Sequence, residues 1–220
     1  MATSQITIPL QGVSLQGELN LPVTAPGLVL FAHGTGSSRQ SPRNRYVAGI
    51  LQQAGLGTLL FDLLTEQEEE AEAFTRHLRF DISFLAKRLS EATLWVLDKT
   101  TTRDIKAAYF GSSTGAAAAL VAAAELGETI GAIVSRGGRP DLAAGALERV
   151  TAPTLLIVGG NDIPVISLNE EAFETLRCEK ALRIVPGATH LFEEPGVLEK
   201  VARMASEWFC NHLQPMARRS

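Results

Sequence analysis

Two stretches of alternating polar and apolar residues open the chain and then give way to short, almost wholly apolar runs. Residues 5–9 and 13–19 alternate on either side of Gln11-Gly12, which predicts an antiparallel hairpin with one buried face. The later runs are typical of strands that helices cover on both faces. They occupy residues 28–32, 58–61, 107–110, 130–134, 154–158 and 182–185.

Segments with helical periodicity lie between these runs. They cover residues 43–54, 71–97, 114–126, 167–176 and 195–213. Because strands and helices alternate along the chain, the pattern predicts a doubly wound, mostly parallel sheet with helices on both faces. No repeat, linker or shift in composition divides the sequence, so residues 1–220 are expected to form a single α/β domain.

Composition and charge narrow the class of partner. The chain is 45% hydrophobic and 20% charged, as in globular proteins, and its net charge of −4 offers no positive field to nucleic acid. No run approaches the ~20 apolar residues of a membrane span, and the N-terminus lacks a leader pattern. We therefore expect a cytoplasmic protein that acts on a small molecule and binds neither nucleic acid nor membrane. Cys178 and Cys210 lack zinc-site or disulfide spacing, so no metal and no cofactor is expected.

A glycine-flanked serine follows the apolar run 107–110. The sequence Gly111-Ser112-Ser113-Thr114-Gly115 stands directly before an alanine-rich helical segment. A strand, a G-x-S-x-G motif and a helix in succession predict a sharp turn that exposes the central serine beside unpaired helix N–H groups. Ser113 is therefore the predicted nucleophile, and a plain tight turn is the alternative.

A serine nucleophile needs a general base and a carboxylate that orients the base. His190 follows the run 182–185 and Asp162 follows the run 154–158, so both are expected at the sheet edge where Ser113 lies. His190 is the predicted base and Asp162 the predicted acid. Asp141, after the preceding strand, is the alternative acid, although its position also suits a helix cap.

The loop after the run 28–32 reads His33-Gly34-Thr35-Gly36. Its Thr35 N–H, together with the N–H of Thr114, is predicted to bind the negative oxygen that forms when a serine attacks a carbonyl group. His33 and Asp62 are expected to make structural hydrogen bonds near the site rather than to transfer protons.

These motifs, in this order, resemble the α/β-hydrolase superfamily over nearly the whole chain. The segments FAHGTGSS, YFGSSTGAAAAL, LLIVGGNDIPV and VPGATHLFEEPG are similar to those of the dienelactone hydrolase family. The resemblance implies an α/β-hydrolase fold without a lid domain and an open site for small esters, lactones or thioesters. That family carries cysteine at the centre of the strand-to-helix turn, the nucleophile elbow formed here by residues 111–115, where this chain has Ser113. A serine carboxylesterase-like activity is therefore the inference.

Charged residues near the same edge have two interpretations each. Arg136 and Arg139 follow the fourth apolar run, and either is a candidate to bind a substrate carboxylate, with a salt bridge to Asp141 as the alternative. Arg39, Arg43 and Arg45 are interpreted as a solvated helix entrance, with anion binding as the alternative, and the acidic run 66–70 as a solvated loop or helix entrance.

Other functions are compatible with the same residues. The triad also supports acyl transfer to another acceptor or peptide hydrolysis, and hydrolase scaffolds serve as non-catalytic binding proteins as well. Because Ser113, Asp162 and His190 are all retained, hydrolysis is the preferred hypothesis.

Overall fold

An eight-stranded sheet forms the centre of the computed structural model, which describes residues 3–75, 77–98 and 105–213. The strands are β1 (Ser4–Leu10), β2 (Val13–Asn20), β3 (Gly27–Ala32), β4 (Gly57–Phe61), β5 (Lys106–Ser112), β6 (Ile130–Arg136), β7 (Thr154–Gly159) and β8 (Lys180–Val185). The α-helices are α1 (Pro42–Gln53), α2 (Glu66–Thr75), α3 (Ile82–Leu97), α4 (Thr114–Leu126), α5 (Ile163–Thr175) and α6 (Val197–His212). Short 3-10 helices span Leu78–Phe80, Gly127–Thr129 and Pro140–Arg149.

The sheet joins an antiparallel hairpin to a parallel body, in the order β1-β2-β4-β3-β5-β6-β7-β8. β1 pairs antiparallel with β2, and β2 pairs antiparallel with β4. Every neighbouring pair from β4 to β8 is parallel. β3, β4, β6 and β7 are buried along their whole length, which explains why their sequences show no alternation. The predicted fold class is confirmed.

Helices cover the two faces of this sheet in separate hydrophobic clusters. α1 and α6 pack on one face, where α6 presents an apolar stripe of Val201, Ala202, Ala205 and Phe209. α3, α4 and α5 pack on the other face. The parallel strands therefore lie in the middle layer of three, and only the edge strand β8 has exposed residues along its length.

The prediction of one helix over residues 71–97 is wrong, because the chain breaks into α2, a 3-10 helix and α3. The side chain of Glu72 has no solvent exposure, and its carboxylate accepts hydrogen bonds from the backbone N–H groups of residues 77–79. These bonds turn the chain out of helical register after Thr75. Asp81 then caps α3 by accepting a hydrogen bond from the Phe84 N–H at 2.9 Å. The acidic run 66–70 opens α2.

The carboxyl ends of the parallel strands open on one edge of the sheet. Residues 137–153, which join β6 to β7, form a single 3-10 helix and short turns, so that connection inserts no domain over the edge. Among the helices of the described residues, none combines the length and apolar character required to cross a membrane.

Candidate active site

Ser113 lies at a strained turn between β5 and α4. Its backbone has φ 51° and ψ −124°, a positive-φ conformation that serine rarely adopts. Holding a residue there costs of order 1–3 kcal/mol and requires firm support from the surrounding structure. The turn leaves Ser113 partly exposed while the preceding Ser112 is buried.

Glycines allow the backbone to pack closely around this turn. A Cβ at Gly111 would lie 2.5 Å from Ala116 Cα, and one at Gly115 would lie 2.2 Å from a carbonyl oxygen at the end of β3. A Cβ at Gly34 would lie 2.9 Å from Ser113 Cβ. The G-x-S-x-G spacing is thus a packing requirement, and the loop after β3 touches the nucleophile.

His190 and Asp162 form a direct hydrogen-bonded pair. The distance from His190 Nδ1 to Asp162 Oδ2 is 2.7 Å. Because a carboxylate can only accept, Nδ1 donates its proton to Asp162, and in the neutral ring Nε2 keeps a lone pair. The Asp162 side chain is 13% exposed and that of His190 is 39% exposed, so the acid is sheltered while the imidazole faces solvent.

The loops that carry Asp162 and His190 are hydrogen-bonded to each other. They leave the neighbouring parallel strands β7 and β8, and the first loop donates to carbonyl oxygens of the second. The bonds are Gly160 N to Val185 O at 2.8 Å, Asn161 N to Ala188 O at 2.9 Å and Asn161 Nδ2 to Gly187 O at 3.0 Å. Backbone geometry therefore fixes the relative position of the acid and the imidazole.

Ser113 approaches His190 across the end of β6. The Ser113 N–H donates to the Arg136 carbonyl oxygen at 3.4 Å. The next residue, Gly137, lies against the imidazole, since a Cβ there would be 3.5 Å from His190 Cε1. The structure therefore places the predicted nucleophile, base and acid together at one edge of the sheet.

The two predicted oxyanion-binding residues contact each other. The Thr35 N–H donates to Thr114 Oγ1 at 3.1 Å, and the two hydroxyl oxygens lie 3.0 Å apart. The Thr35 hydroxyl also donates to the Arg79 carbonyl oxygen at 3.2 Å. The Thr35 N–H therefore has an acceptor within the protein.

His33 supports the loop from below. Its Nε2 accepts from the Leu63 N–H at 3.1 Å, and its Nδ1 donates to the Gly34 carbonyl oxygen at 3.1 Å. Burial lowers the pKa of His33, which favours the neutral ring that this bonding pattern needs. Asp62 accepts from the Arg39 N–H at 2.7 Å and pairs with its guanidinium. These contacts are structural, in line with the sequence interpretation.

The two arginines after β6 have different surroundings. Arg139 makes two hydrogen bonds to Asp141, at 2.8 and 2.7 Å, and these raise the pKa of Arg139. Arg136 is only 8% exposed, and its Nη1 has no hydrogen-bond partner among the described residues. Burial, with a smaller contribution from the like charge of Arg43, lowers the pKa of Arg136 to about 10. Asp141 thus binds an arginine, whereas Asp162 binds the histidine.

The basic group of Arg39, Arg43 and Arg45 lies at the start of α1, as interpreted, but its side chains are paired with acids and not only solvated. Each arginine pairs with an acid that lies 23, 150 or 27 residues away in the sequence. The pairs are Arg39–Asp62, Arg43–Glu193 and Arg45–Glu18. Such distant partners leave no local sequence signal.

A small recess lies beside the elbow. Its cavity volume is about 10 Å³, and Thr35, Thr114, Leu64, Glu69 and Arg79 are among the residues that line it. The parts of the chain that the structure describes contain no group of three or more His, Cys, Asp or Glu side chains arranged to hold a metal ion.

A solved structure closely matches this arrangement. The chain superimposes on dienelactone hydrolase from Anabaena variabilis with a TM-score of 0.95 and 60% sequence identity, over 97% of this chain and 99% of that chain. The chain belongs to the dienelactone hydrolase-like α/β-hydrolases. This dienelactone hydrolase-like protein shares its fold with Est1E from Butyrivibrio proteoclasticus, at a TM-score of 0.80 and 15% identity over 95% of this chain and 98% of that chain. An esterase from Pyrococcus furiosus superimposes with a TM-score of 0.75 and 16% identity, over 96% of this chain and 92% of that chain.

Curated relatives of this dienelactone hydrolase-like protein occur in two strains of Mycobacterium tuberculosis. They are 54% identical over 201 residues, which cover 91% of this chain and 44% of each relative. The chain thus spans less than half the length of these relatives, whose provisional name is phosphoribosyl transferase. No protein-family model matches the chain.

Two residues that hold the loop carrying His190 in this dienelactone hydrolase-like protein are not predicted from the sequence. Phe192 is fully buried with φ 56°. Glu194 Oε1 accepts hydrogen bonds from the Thr189 hydroxyl at 2.6 Å and the Thr189 N–H at 2.9 Å, and these lower the pKa of Glu194. Their only signal in the sequence is their position just after His190, which does not indicate which way they point.

Proposed function

We propose that the chain is a serine hydrolase that cleaves a small ester, lactone or thioester through an acyl-enzyme. The observation that carries this proposal is Ser113, held at positive φ at the start of α4, beside the 2.7 Å pair of His190 and Asp162. A strained, partly exposed serine and an oriented imidazole are the two elements that acyl transfer requires.

In this mechanism His190 Nε2 removes the hydroxyl proton of Ser113 while Oγ attacks the substrate carbonyl carbon. The carbonyl π electrons move to oxygen, and the N–H groups of Thr35 and Thr114 bind the resulting oxyanion. As the intermediate collapses, the bond to the leaving group breaks and the imidazolium returns the proton to that group. Water, deprotonated by His190, then attacks the acyl carbon, the bond from that carbon to Ser113 Oγ breaks, and the imidazolium returns the proton to Oγ as the acid leaves. Asp162 stabilises the imidazolium at both stages.

The recess beside Thr35 and Thr114 has a cavity volume of about 10 Å³, which is room for about one water molecule. It does not itself define the size of the acyl group. Hydrolysis is preferred to phosphoribosyl transfer because the solved hydrolase aligns over 99% of its own length, whereas the chain covers 44% of the relatives that carry the transferase name. The cytoplasmic location expected from the sequence stays a prediction.

Arg136 is proposed to bind a carboxylate on the substrate. Its guanidinium is buried, its Nη1 has no hydrogen-bond partner among the described residues, and its central carbon lies 5.9 Å from the centre of the Phe110 ring. The backbone carbonyl of Arg136 accepts from the Ser113 N–H, which places the residue at the candidate site. A buried charge that no carboxylate in the described structure faces is costly, and an incoming carboxylate would relieve that cost. The charge of Arg139 is already paired with Asp141, so a substrate carboxylate would relieve no such cost there.

The nucleophile is tested by Ser113→Ala with labelling by a fluorophosphonate probe and a panel of short esters, lactones and thioesters. We expect the parent to be labelled at Ser113, and turnover to fall by about 10⁶ in the variant. A clean preparation of Ser113→Ala with parental turnover would remove Ser113 from the mechanism. An unlabelled, inactive parent would favour the binding-protein alternative.

The carboxylate site is tested by Arg136→Met, with Arg139→Met as the matched control. A charge-assisted pair contributes about 1.5–3 kcal/mol, so KM for para-nitrophenyl hemisuccinate should rise roughly 10-fold to 150-fold in Arg136→Met. KM for the uncharged para-nitrophenyl acetate should stay close to the parental value. Equal losses on both esters would show that Arg136 has no part in carboxylate recognition.

A further inference from the structure

The hydrogen bonds around Thr35 and Thr114 determine where each proton lies. The Thr35 hydroxyl carries one proton, and it is donated to the Arg79 carbonyl oxygen, which can only accept. The proton shared across the 3.0 Å between the two hydroxyl oxygens therefore comes from Thr114. Thr114 Oγ1 thus donates to Thr35 Oγ1 and accepts from the Thr35 N–H, which lies 3.1 Å away.

Thr114 Oγ1 therefore occupies the acceptor position that a substrate oxyanion would take on the Thr35 N–H. An oxyanion is the stronger competitor, because charge-assisted hydrogen bonds are roughly twice as strong as neutral ones. Once the oxyanion binds the Thr35 N–H, the Thr114 hydroxyl lies beside a negative oxygen and still has a proton to donate.

We propose that the Thr114 hydroxyl is a third donor to the oxyanion, turning from Thr35 to the substrate oxygen as negative charge develops. The inference rests on the proposed serine hydrolysis and adds a side-chain donor to the two backbone N–H groups. The two neutral hydrogen bonds between Thr35 and Thr114 are thereby exchanged for two charge-assisted bonds, from the Thr35 N–H and the Thr114 hydroxyl to the oxyanion. Because the gain exists only once the charge has formed, it increases kcat rather than substrate affinity.

A buried carboxylate holds the far end of this arrangement. Glu72 Oε2 accepts from both the backbone N and the Nε of Arg79, each at 3.0 Å, and Glu72 Oε1 accepts from the Thr75 hydroxyl at 2.8 Å. Glu72 therefore fixes the segment whose Arg79 carbonyl receives the Thr35 proton. With that proton committed, Thr35 Oγ1 stays an acceptor and the Thr114 hydroxyl stays a donor. The Thr35 hydroxyl and Glu72 therefore position the donor, whereas the Thr35 N–H binds the oxyanion itself.

The test compares Thr114→Val, which keeps the side-chain shape and the backbone N–H, with Thr114→Ser, which keeps the hydroxyl. With para-nitrophenyl acetate we expect kcat to fall by about 10² in Thr114→Val, the scale measured for loss of one oxyanion donor elsewhere. KM should change little, and Thr114→Ser should recover most of the lost kcat. The control is Thr175→Val on α5, which removes a hydroxyl that donates to the Glu171 carbonyl oxygen, and it should match the parent.

Inhibition by phenylboronic acid supplies a second readout, because the boronate forms an anionic tetrahedral adduct on serine. Its Ki should rise by the same factor by which kcat/KM falls in Thr114→Val. A kcat for Thr114→Val equal to or above the parent would mean that the hydroxyl only blocks the Thr35 N–H. Equal impairment of Thr114→Ser and Thr114→Val would also overturn the proposal.

Two further measurements keep the outcomes distinct. If Thr114→Val does not fold, Thr114→Ala compared with Thr114→Ser decides the same question. Fluorophosphonate labelling of the parent at Ser113 tests the hydrolase itself. A labelled parent with a fully active Thr114→Val contradicts only the third donor, whereas an unlabelled and inactive parent contradicts both proposals.

Discussion

Replacing Asp162 by asparagine removes the charge that faces the histidine while keeping its shape. Two opposite charges 2.7 Å apart at an effective dielectric of about 20 attract each other by about 6 kcal/mol. That attraction arises only when the imidazolium forms, because a neutral imidazole carries no charge for Asp162 to attract. Each tenfold change in rate corresponds to about 1.4 kcal/mol, so loss of this attraction corresponds to a fall in turnover of roughly 10⁴.

The assay is kcat and kcat/KM for para-nitrophenyl acetate, with Asp141→Asn as the matched control. Asp141 is the carboxylate that follows the preceding strand, and its two hydrogen bonds go to Arg139. Asp141→Asn should therefore lower the melting temperature slightly and leave turnover within a few-fold of the parent. The contrast between the variants separates the loss of a triad acid from the loss of a surface ion pair.

Two results would refute this reasoning. If Asp141→Asn were the more damaging change, the acid would belong after β6. If Asp162→Asn kept turnover within tenfold of the parent, the charge of Asp162 would have little to do with stabilising the imidazolium of His190.

Three further changes test the supporting structure. Glu194→Gln weakens the hydrogen bonds to Thr189 that hold the histidine loop, so kcat should fall roughly tenfold with little change in melting temperature. An unchanged kcat would show that the loop keeps its position without these bonds. The pKa of Glu72 is lowered from 4.5 to about 2 by hydrogen bonds that outweigh the opposing effect of burial, so its stabilisation is complete above pH 4.5 and is lost as pH falls towards 2. Glu72→Gln should reduce the drop in melting temperature between pH 4.5 and about 2, whereas the control Glu70→Gln should not. Identical profiles of melting temperature against pH for the parent and both variants would contradict the role given to Glu72. Gly115→Ala places a Cβ 2.2 Å from a backbone oxygen and should destabilise the fold by about 3 kcal/mol, and an unchanged melting temperature would show that the elbow can relax.

The fold, and the three residues that meet at the candidate site, could be predicted because their signals are local. Strands that are buried on both faces, such as β3 and β7, read as apolar runs, and the alternation with helices specifies a parallel sheet. Chemistry in such a sheet gathers where strands end, so the residues after β5, β7 and β8 could be considered together. Ser113, Asp162 and His190 emerge from position alone, without knowledge of any contact.

The remaining features depend on contacts between distant residues. Nothing near Arg43 indicates that Glu193, 150 residues later, will pair with it. The break after α2 depends on one carboxylate turning back to the N–H groups that follow, whereas the surrounding acidic residues are typical of a continuous solvated helix. Periodicity reports which face of an element is buried, and it carries no information about which polar group a buried side chain meets.

The two halves of the candidate site are supported in different ways, and this difference governs how substitutions should act. Backbone hydrogen bonds between the β7 and β8 loops hold Asp162 and His190, and the side chains of Asn161 and Glu194 add further bonds to the histidine loop. The oxyanion side depends on the hydroxyl groups of Thr35 and Thr114, which bond to each other at rest. Substitutions on the first side should therefore act mainly through the charge removed, as in Asp162→Asn. On the second side, removal of one hydroxyl should alter kcat while the fold and KM persist, because backbone N–H groups and the glycine-lined turn keep the loop in place.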